Sequence, residues 1–412
     1  MAIKVEIISH EMIKPSSPTP THLRNLKLSF LDQIAPPIYV PLIFFYNHHQ
    51  LTLQNLTHHQ ISQLLKQSLS KTLTVFYPLA GRIHENSSID CNDSGAEFIE
   101  ARVHTRALSE ILQEPSMEEL KKLQPVEILG QDEKVVLKVK ICFFDCGGIS
   151  VAICLSHKIA DGTSLVAFVN AWAASSRGEP QNFRPSFDFA SVFPPRDLSG
   201  LDFTQRIGMT EERIATKRLV FDKEELAKLR NSESSQVKNP TRVEAVSSYI
   251  WRRFMDAAKD RGGGTETASF AAVHAVNLRP RKSPPFPQHM FGNCWRPAIA
   301  VMSGAEGSDE GELVGKLRAA ITRIDGDFIR QVENGEYLNV LSRSVDLFMK
   351  GGVEFCNFSS WCRFPVYEVD FGWGKPVWVC TTALPFKNLV ILMSTPCGEG
   401  IEAWVNVVEE DG

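Results

Sequence analysis

No run of roughly eighteen apolar residues occurs in the 412-residue chain, so no segment is long enough to cross a bilayer as a helix. Basic residues are not in excess either: 44 lysines and arginines stand against 48 aspartates and glutamates. A net charge of −4 gives a phosphate backbone little to hold, and nucleic acid is excluded as an expected partner. The opening Met1-Ala2-Ile3-Lys4-Val5-Glu6 lacks the basic-then-apolar plan of a signal peptide, so a cytoplasmic protein is expected. The nine cysteines are scattered, and Cys142, Cys154 and Cys380 lie inside apolar runs. Reduced thiols acting as small hydrophobes fit that placement better than disulfides. No Gly-x-Ser-x-Gly elbow is present, which removes the common serine hydrolase design.

Other patterns imitate sites and fail on context. Gly398-x-Gly400-x-x-Ala403 resembles a dinucleotide fingerprint, but a strand-like run follows it rather than a helix. Gly374-Lys375-Pro376 lacks the hydroxyl residue and spacing of a phosphate loop. His48-His49 and His58-His59 have no cysteine or carboxylate at ligand spacing, so no metal is expected.

What is present is a soluble composition, 43% hydrophobic and 22% charged, in a chain long enough for two cores. Strands are predicted at Leu26–Phe30, Ile38–Phe45, Phe98–Val103, Val135–Phe144 and Ile149–Leu155. Helical spacing marks His59–Leu73 and Leu165–Trp172. Between Arg177 and Arg213 periodicity disappears and prolines accumulate, which reads as a crossing between domains. Beyond it come a strand (Lys217–Phe221) and helices (Lys223–Arg230, Thr241–Lys259). Further strands follow at Ser269–Asn277, Val366–Phe371, Val377–Thr381, Leu389–Met393 and Ile401–Val408. Gly262–Gly264 and Ser303–Gly311 read as surface loops. The expected boundaries are 1–187, a linker over 188–216, and 217–412, in a mixed α/β layer architecture.

Three clusters carry the chemistry. His157 and Asp161 in Ser156-His157-Lys158-Ile159-Ala160-Asp161-Gly162 follow a buried strand, where a side chain can face a cleft. A neutral imidazole there can accept a proton near neutral pH. Their i, i+4 spacing reads as a pair on one helix face. On spacing alone a buried structural histidine is the commoner reading. Asp370-Phe371-Gly372-Trp373-Gly374 offers a tight glycine-flanked turn, and equally an ordinary aromatic-packed one. Arg279, in Val276-Asn277-Leu278-Arg279-Pro280-Arg281, is either a solvated strand end or a bidentate partner for a carboxylate.

Taken together and in this order, the histidine and glycine-tryptophan motifs resemble the paired signature of the plant BAHD acyltransferases. Tyr77-Pro78-Leu79-Ala80-Gly81-Arg82, Asp90-Cys91-Asn92-Asp93-Ser94-Gly95 and Phe291-Gly292-Asn293 resemble further landmarks of that family. The likeness runs from Pro15 to Trp404 and looks closest to the branch that acetylates alkaloids. It implies a two-domain fold like that of chloramphenicol acetyltransferase, with mixed sheets, flanking helices and a channel at the domain interface. It implies a monomer whose partners are acyl-CoA, here acetyl-CoA as co-substrate, and a small-molecule acceptor alcohol; no cofactor is held permanently.

The same resemblance implies roles. His157 is the general base. Asp161 turns from the substrate toward an arginine whose position Arg279 matches. Asp370, Gly372 and Gly374 shape the coenzyme site from a distance. Ser359 and Trp361 border the thioester, with Trp361 the preferred donor to the oxyanion. A terpenoid alcohol or a longer acyl-CoA is the alternative substrate. A CoA-independent esterase and a non-catalytic binding protein are the rivals of other classes. The resemblance also implies a helix beyond the Glu402-Ala403-Trp404 strand, past the Gly412 at which the sequence stops.

Overall fold

Apolar runs too short for helices and bounded by turn residues become buried strands, and most do so here in two six-stranded sheets, beside a small three-stranded one. The structure, a computed structural model, describes residues 3–52, 56–104, 108–125, 134–180, 183–198, 209–210, 212–231, 237–261, 269–303, 310–338 and 352–408. The chain forms two units, each drawn from three segments. The first comprises Met1–Asp197, Gln288–Asn293 and Phe364–Leu384; the second comprises Leu198–Pro287, Cys294–Arg363 and Pro385–Gly412.

In the first unit six strands run in the order Lys4–Ile13, Ala96–His104, Leu137–Phe144, Ile149–Ser156, Tyr39–Tyr46, Trp378–Cys380. Only Ala96–His104 and Leu137–Phe144 pair in parallel. Tyr39–Tyr46, Leu137–Phe144 and Ile149–Ser156 are buried at every position, as their nearly continuous apolar sequences require. Helices His58–Val75 and Gly162–Ser176 pack on each other, and Leu65, Leu69, Phe168 and Trp172 within them are wholly buried. The Trp172 indole donates to Leu65 O at 3.2 Å and Ser68 Oγ at 3.0 Å, so the polar edge of a large buried ring is satisfied.

The second unit holds the order Trp295–Ser303, Ser269–Asn277, Val353–Ser360, Leu389–Ser394, Ile401–Val408, Ile214–Phe221. The Ser269–Asn277, Val353–Ser360 and Leu389–Ser394 strands are mutually parallel, so this sheet is mixed as well. The expected mixed α/β class holds.

Several expectations need correction. Leu26–Phe30 is not one strand: pairing stops at Lys27, and Ser29 caps a short helix, Phe30–Gln33, through a reciprocal box with Asp32. Val366–Phe371 is a single 3-10 turn followed by the Asp370 turn, because Pro365 opens the former and Gly372, at φ +114°, bends the latter. The continuous domain boundaries 1–187 and 217–412 do not match the two units. Trp378–Cys380 pairs with Tyr39–Tyr46, which draws 364–384 and its glycine-tryptophan turn into the first unit. Part of the 188–216 linker (199–208 and 211), all of 262–264 and 304–309 lie outside the described residues.

Candidate active site

The Ile149–Ser156 strand ends at Ser156, and His157 occupies the turn that follows. That turn is fastened at both of its peptide ends. The His157 N–H donates to Ile38 O at 2.8 Å, and its C=O accepts from Asn293 Nδ2 at 2.7 Å. The next residue, Lys158, is buried and its ammonium donates to Gln33 O at 2.8 Å and Ala35 O at 3.0 Å. The His157 side chain stays partly exposed. Desolvation pushes its pKa below the ordinary histidine value, and the nearby Asp161 charge opposes that shift without reversing it. The imidazole is therefore neutral at neutral pH, as a proton acceptor must be.

Asp161 is not paired with His157 along a helix. The helix starts one residue later, at Gly162, and Asp161 is its N-cap: Oδ1 accepts the Ser164 N–H at 2.9 Å. The i, i+4 reading fails because residues 157–159 form a turn and the helix begins only at Gly162. Gly162 has no room for a side chain, since a Cβ would lie 2.6 Å from Phe364 Cε2.

A second anchor comes from Gly292 and Asn293. The Ser164 hydroxyl accepts from Gly292 N at 3.0 Å and donates to Gly292 O at 2.9 Å. Gly292 sits at φ +147° with Phe189 2.7 Å from where a Cβ would be, so only glycine fits. Asn293 donates from both its N–H and its Nδ2 to Asp32 Oδ1, each at 2.9 Å. The other oxygen of Asp32 accepts the Ser29 N–H at 3.0 Å and the Ser29 hydroxyl at 2.6 Å. Burial raises the Asp32 pKa, and these four bonds counter it. An aspartate on the second turn-helix of the chain thus holds, through one amide, the peptide of a histidine 125 residues further on. Asp32 and Ser164 were not foreseen from the sequence. The Ser29-x-x-Asp32 capping pattern was the available signal for the first of them.

The glycine-tryptophan motif lies at the far end of the same helix. Asp370 Oδ1 accepts from Gly372 N at 2.7 Å and Gly374 N at 2.8 Å, and Gly374 has φ +107°. Ser176 Oγ donates to Phe371 O at 2.7 Å, Arg177 Nη1 donates to Asp370 O, and Tyr46 donates to Val369 O at 3.0 Å. Phe371 lies 4.9 Å from Trp172, ring centre to ring centre. Fifteen helical residues at about 1.5 Å each separate this turn from Asp161 by about 22 Å. The strands give a similar measure: Tyr39 pairs with Ser156 beside His157, while Tyr46, seven positions along, pairs with Ile149 and touches the turn. The motif sets the helix, and the helix presents Asp161.

Arg279, Ser359 and Trp361 belong to the second unit. Arg279 is buried at the start of a 3-10 turn, its N–H donating to Asn277 Oδ1 at 3.0 Å. Trp361 Nε1 donates to Ser359 Oγ at 2.9 Å, and Trp361 N to Leu392 O at 2.7 Å. The Trp361 indole proton is thus committed to Ser359.

The chain matches the Transferase family over residues 3–411. It is 43% identical to stemmadenine O-acetyltransferase of Catharanthus roseus and 42% identical to vinorine synthase of Rauvolfia serpentina, covering 100% of this chain and 96% of each relative. The crystal structure of vinorine synthase superimposes with a TM-score of 0.86 at 40% identity, over 98% of this chain and 95% of that one. F. sporotrichioides TRI101, crystallised with coenzyme A and T-2, shares the fold at a TM-score of 0.69 and 19% identity, over 94% and 95% of the two chains. Sequence landmarks, sheet order and these likenesses agree: the chain belongs to the Transferase family, that of the BAHD acyl-CoA-dependent acyltransferases.

Proposed function

We propose that this chain is an O-acetyltransferase that moves acetyl from acetyl-CoA to a hydroxyl of a plant alkaloid, with His157 as general base. The relatives at 43% and 42% identity support acetyl transfer and that acceptor class. A terpenoid acceptor is the second reading, favoured by limonoid 1-O-acetyltransferase of Citrus sinensis at 36% identity. The observation that carries the proposal is His157 itself, an uncharged, partly exposed imidazole on a turn fixed at both peptide ends.

In the reaction the imidazole takes the hydroxyl proton as the acceptor oxygen bonds to the thioester carbonyl carbon. The tetrahedral oxyanion then collapses, the C–S bond breaks, and the imidazolium returns the proton to the departing thiolate. The products are an ester and CoA thiol. No acyl-enzyme forms, because a thiolate leaves readily when an aligned oxygen attacks. Ser359, whose Oγ accepts the Trp361 indole N–H, is the donor assigned to the oxyanion, and such a donor is worth about 3 kcal/mol. Asp161, Asp370, Gly372 and Gly374 act on geometry rather than on protons. No described helix is long and apolar enough to cross a membrane. A cytoplasmic monomer completes the proposal.

The test is an assay of free thiol and ester mass with acetyl-CoA, longer acyl-CoAs and a panel of hydroxylated alkaloids and limonoids. Thiol release should equal ester formed, and His157→Ala should lose about a thousandfold in kcat. An unchanged rate in that variant, or ester cleavage without coenzyme, would reject the reading.

A further inference from the structure

The second unit buries an arginine with unmet donors among the described residues. Arg296, on the edge strand Trp295–Ser303, is 6% exposed, and its guanidinium lies 5.3 Å from the Trp295 ring centre and 5.5 Å from that of Tyr337. Among the described residues neither Nε nor Nη1 has a hydrogen-bond partner. Aromatic faces offset part of the charge, but they accept no N–H in the guanidinium plane. Burial disfavours the cation, yet an arginine keeps its proton in a protein interior. An uncompensated buried charge of this kind calls for a counter-ion.

The neighbouring strand supplies a second unmet donor. In the register of Ser269–Asn277 with Trp295–Ser303, Val276 opposes Arg296 and His274 opposes Ala298. Directly opposed and alternate residues share a face, so Arg296 and His274 stand diagonally on one face, with only Ala298 and Val276 completing the square. His274 is 4% exposed, stacks on Phe358 at 4.8 Å and 6°, and leaves Nε2 without a partner. It is neutral, burial pushing its pKa down to about 4, and a neutral imidazole can still donate one N–H. Glu244, the acid whose charge reaches His274, is committed to Arg318 through contacts of 2.9 and 2.6 Å.

We propose that Arg296 and His274 bind a small monovalent anion, chloride, inside the second unit. A single guanidinium charge balances a single negative charge. Phe358, Val276 and Ala298 give no compensation for a second, so phosphate and sulfate do not suit the place. The anion pins the edge strand to its neighbour at the end where both chains leave the sheet. The inference does not depend on the acyl-transfer reading.

Thermal melts of the full chain, at constant ionic strength with chloride or bromide replacing gluconate, test it. The melting temperature should rise by several degrees and saturate with halide. Arg296→Met should abolish that dependence, and His274→Phe, which keeps the stacked ring, should shift saturation to higher halide. If Arg296→Met does not fold, crystals of the unaltered chain in bromide give the answer through anomalous scattering. A bromide peak between Arg296 and His274 would support the site. Absence of that peak, or the same halide dependence in Arg296→Met, would overturn it.

Discussion

The proposed role of His157 as base requires an uncharged imidazole, and its buried surroundings favour that form. Desolvation lowers its pKa, so the neutral form persists below the ordinary value of about 6.5. The acid limb of kcat/KM should therefore fall below pH 6.5, with activity rising as pH increases through it; a limb above pH 7 would assign the titration to another group. Where the imidazole sits is governed by a residue that never touches the reacting atoms. Asp32→Ala strips the acceptor from both Asn293 donors and so loosens the hold on the His157 carbonyl. The expected loss is about 2 kcal/mol of stability. If His157 is the base, misplacing it by a fraction of an ångström should also lower kcat roughly tenfold or more while KM for acetyl-CoA is kept. Denaturant melts with steady-state kinetics check both. A variant that melts early but keeps full kcat would make Asp32 a packing residue only.

At the scale of elements, the helix Gly162–Ser176 joins two motifs about two hundred residues apart in sequence. Its beginning is capped by Asp161 and its end is gripped by the Asp370 turn. Elements with strong periodicity were legible from the sequence: Lys223–Arg230, Ser269–Asn277 and Ile401–Val408 carry the same limits in both readings. Lys4–Ile13 was missed because, as an exposed edge strand, it has no buried face to mark it. Trp295–Ser303 was missed because it contains Pro297 and Arg296; an edge position tolerates the proline, and no local pattern announces a buried arginine. His157 and Asp161 stand out in the sequence because their motif is contiguous. The Asp32–Asn293 bond does not, because it closes 261 residues of chain.

The helix Arg242–Arg261 offers a prediction at this same scale. Glu244 accepts the Thr241 N–H at 2.8 Å and meets Arg318 at 2.6 and 2.9 Å. Burial alone would raise its pKa, but Arg318 and Thr241 outweigh it and hold the carboxyl below the ordinary value. A depressed folded-state pKa stabilises above the unfolded value, about 4.3, and that contribution is lost as pH falls through the folded value. Glu244→Gln should cost about 1–2 kcal/mol at pH 7, the partly exposed Arg318 limiting the figure. The gap from the unaltered chain should narrow below pH 4.3. A gap independent of pH would show that the charge is not what stabilises the helix start.

For the whole molecule, the decisive feature is that neither unit is a continuous stretch of chain. Residues 1–197 contain five of the six strands of the first sheet, His157 and Asp161, but lack Gln288–Asn293 and Phe364–Leu384. Without Trp378–Cys380 the fully buried Tyr39–Tyr46 strand becomes an apolar edge, which invites pairing between chains. Without Asn293 the buried Asp32 loses two of its four donors, and without Phe371 the helix end loses both a hydrogen bond and a ring contact. These losses fall on the most buried part of the unit, where each unmet polar group costs about 1–3 kcal/mol, so together they rival the net stability of a domain. Expressed alone, residues 1–197 should therefore aggregate and show no cooperative transition in a circular-dichroism melt. The full chain should melt cooperatively. A monomeric fragment with a sharp transition would mean that the returning segments decorate a core already complete, and that the His157 turn is set before Asn293 reaches it.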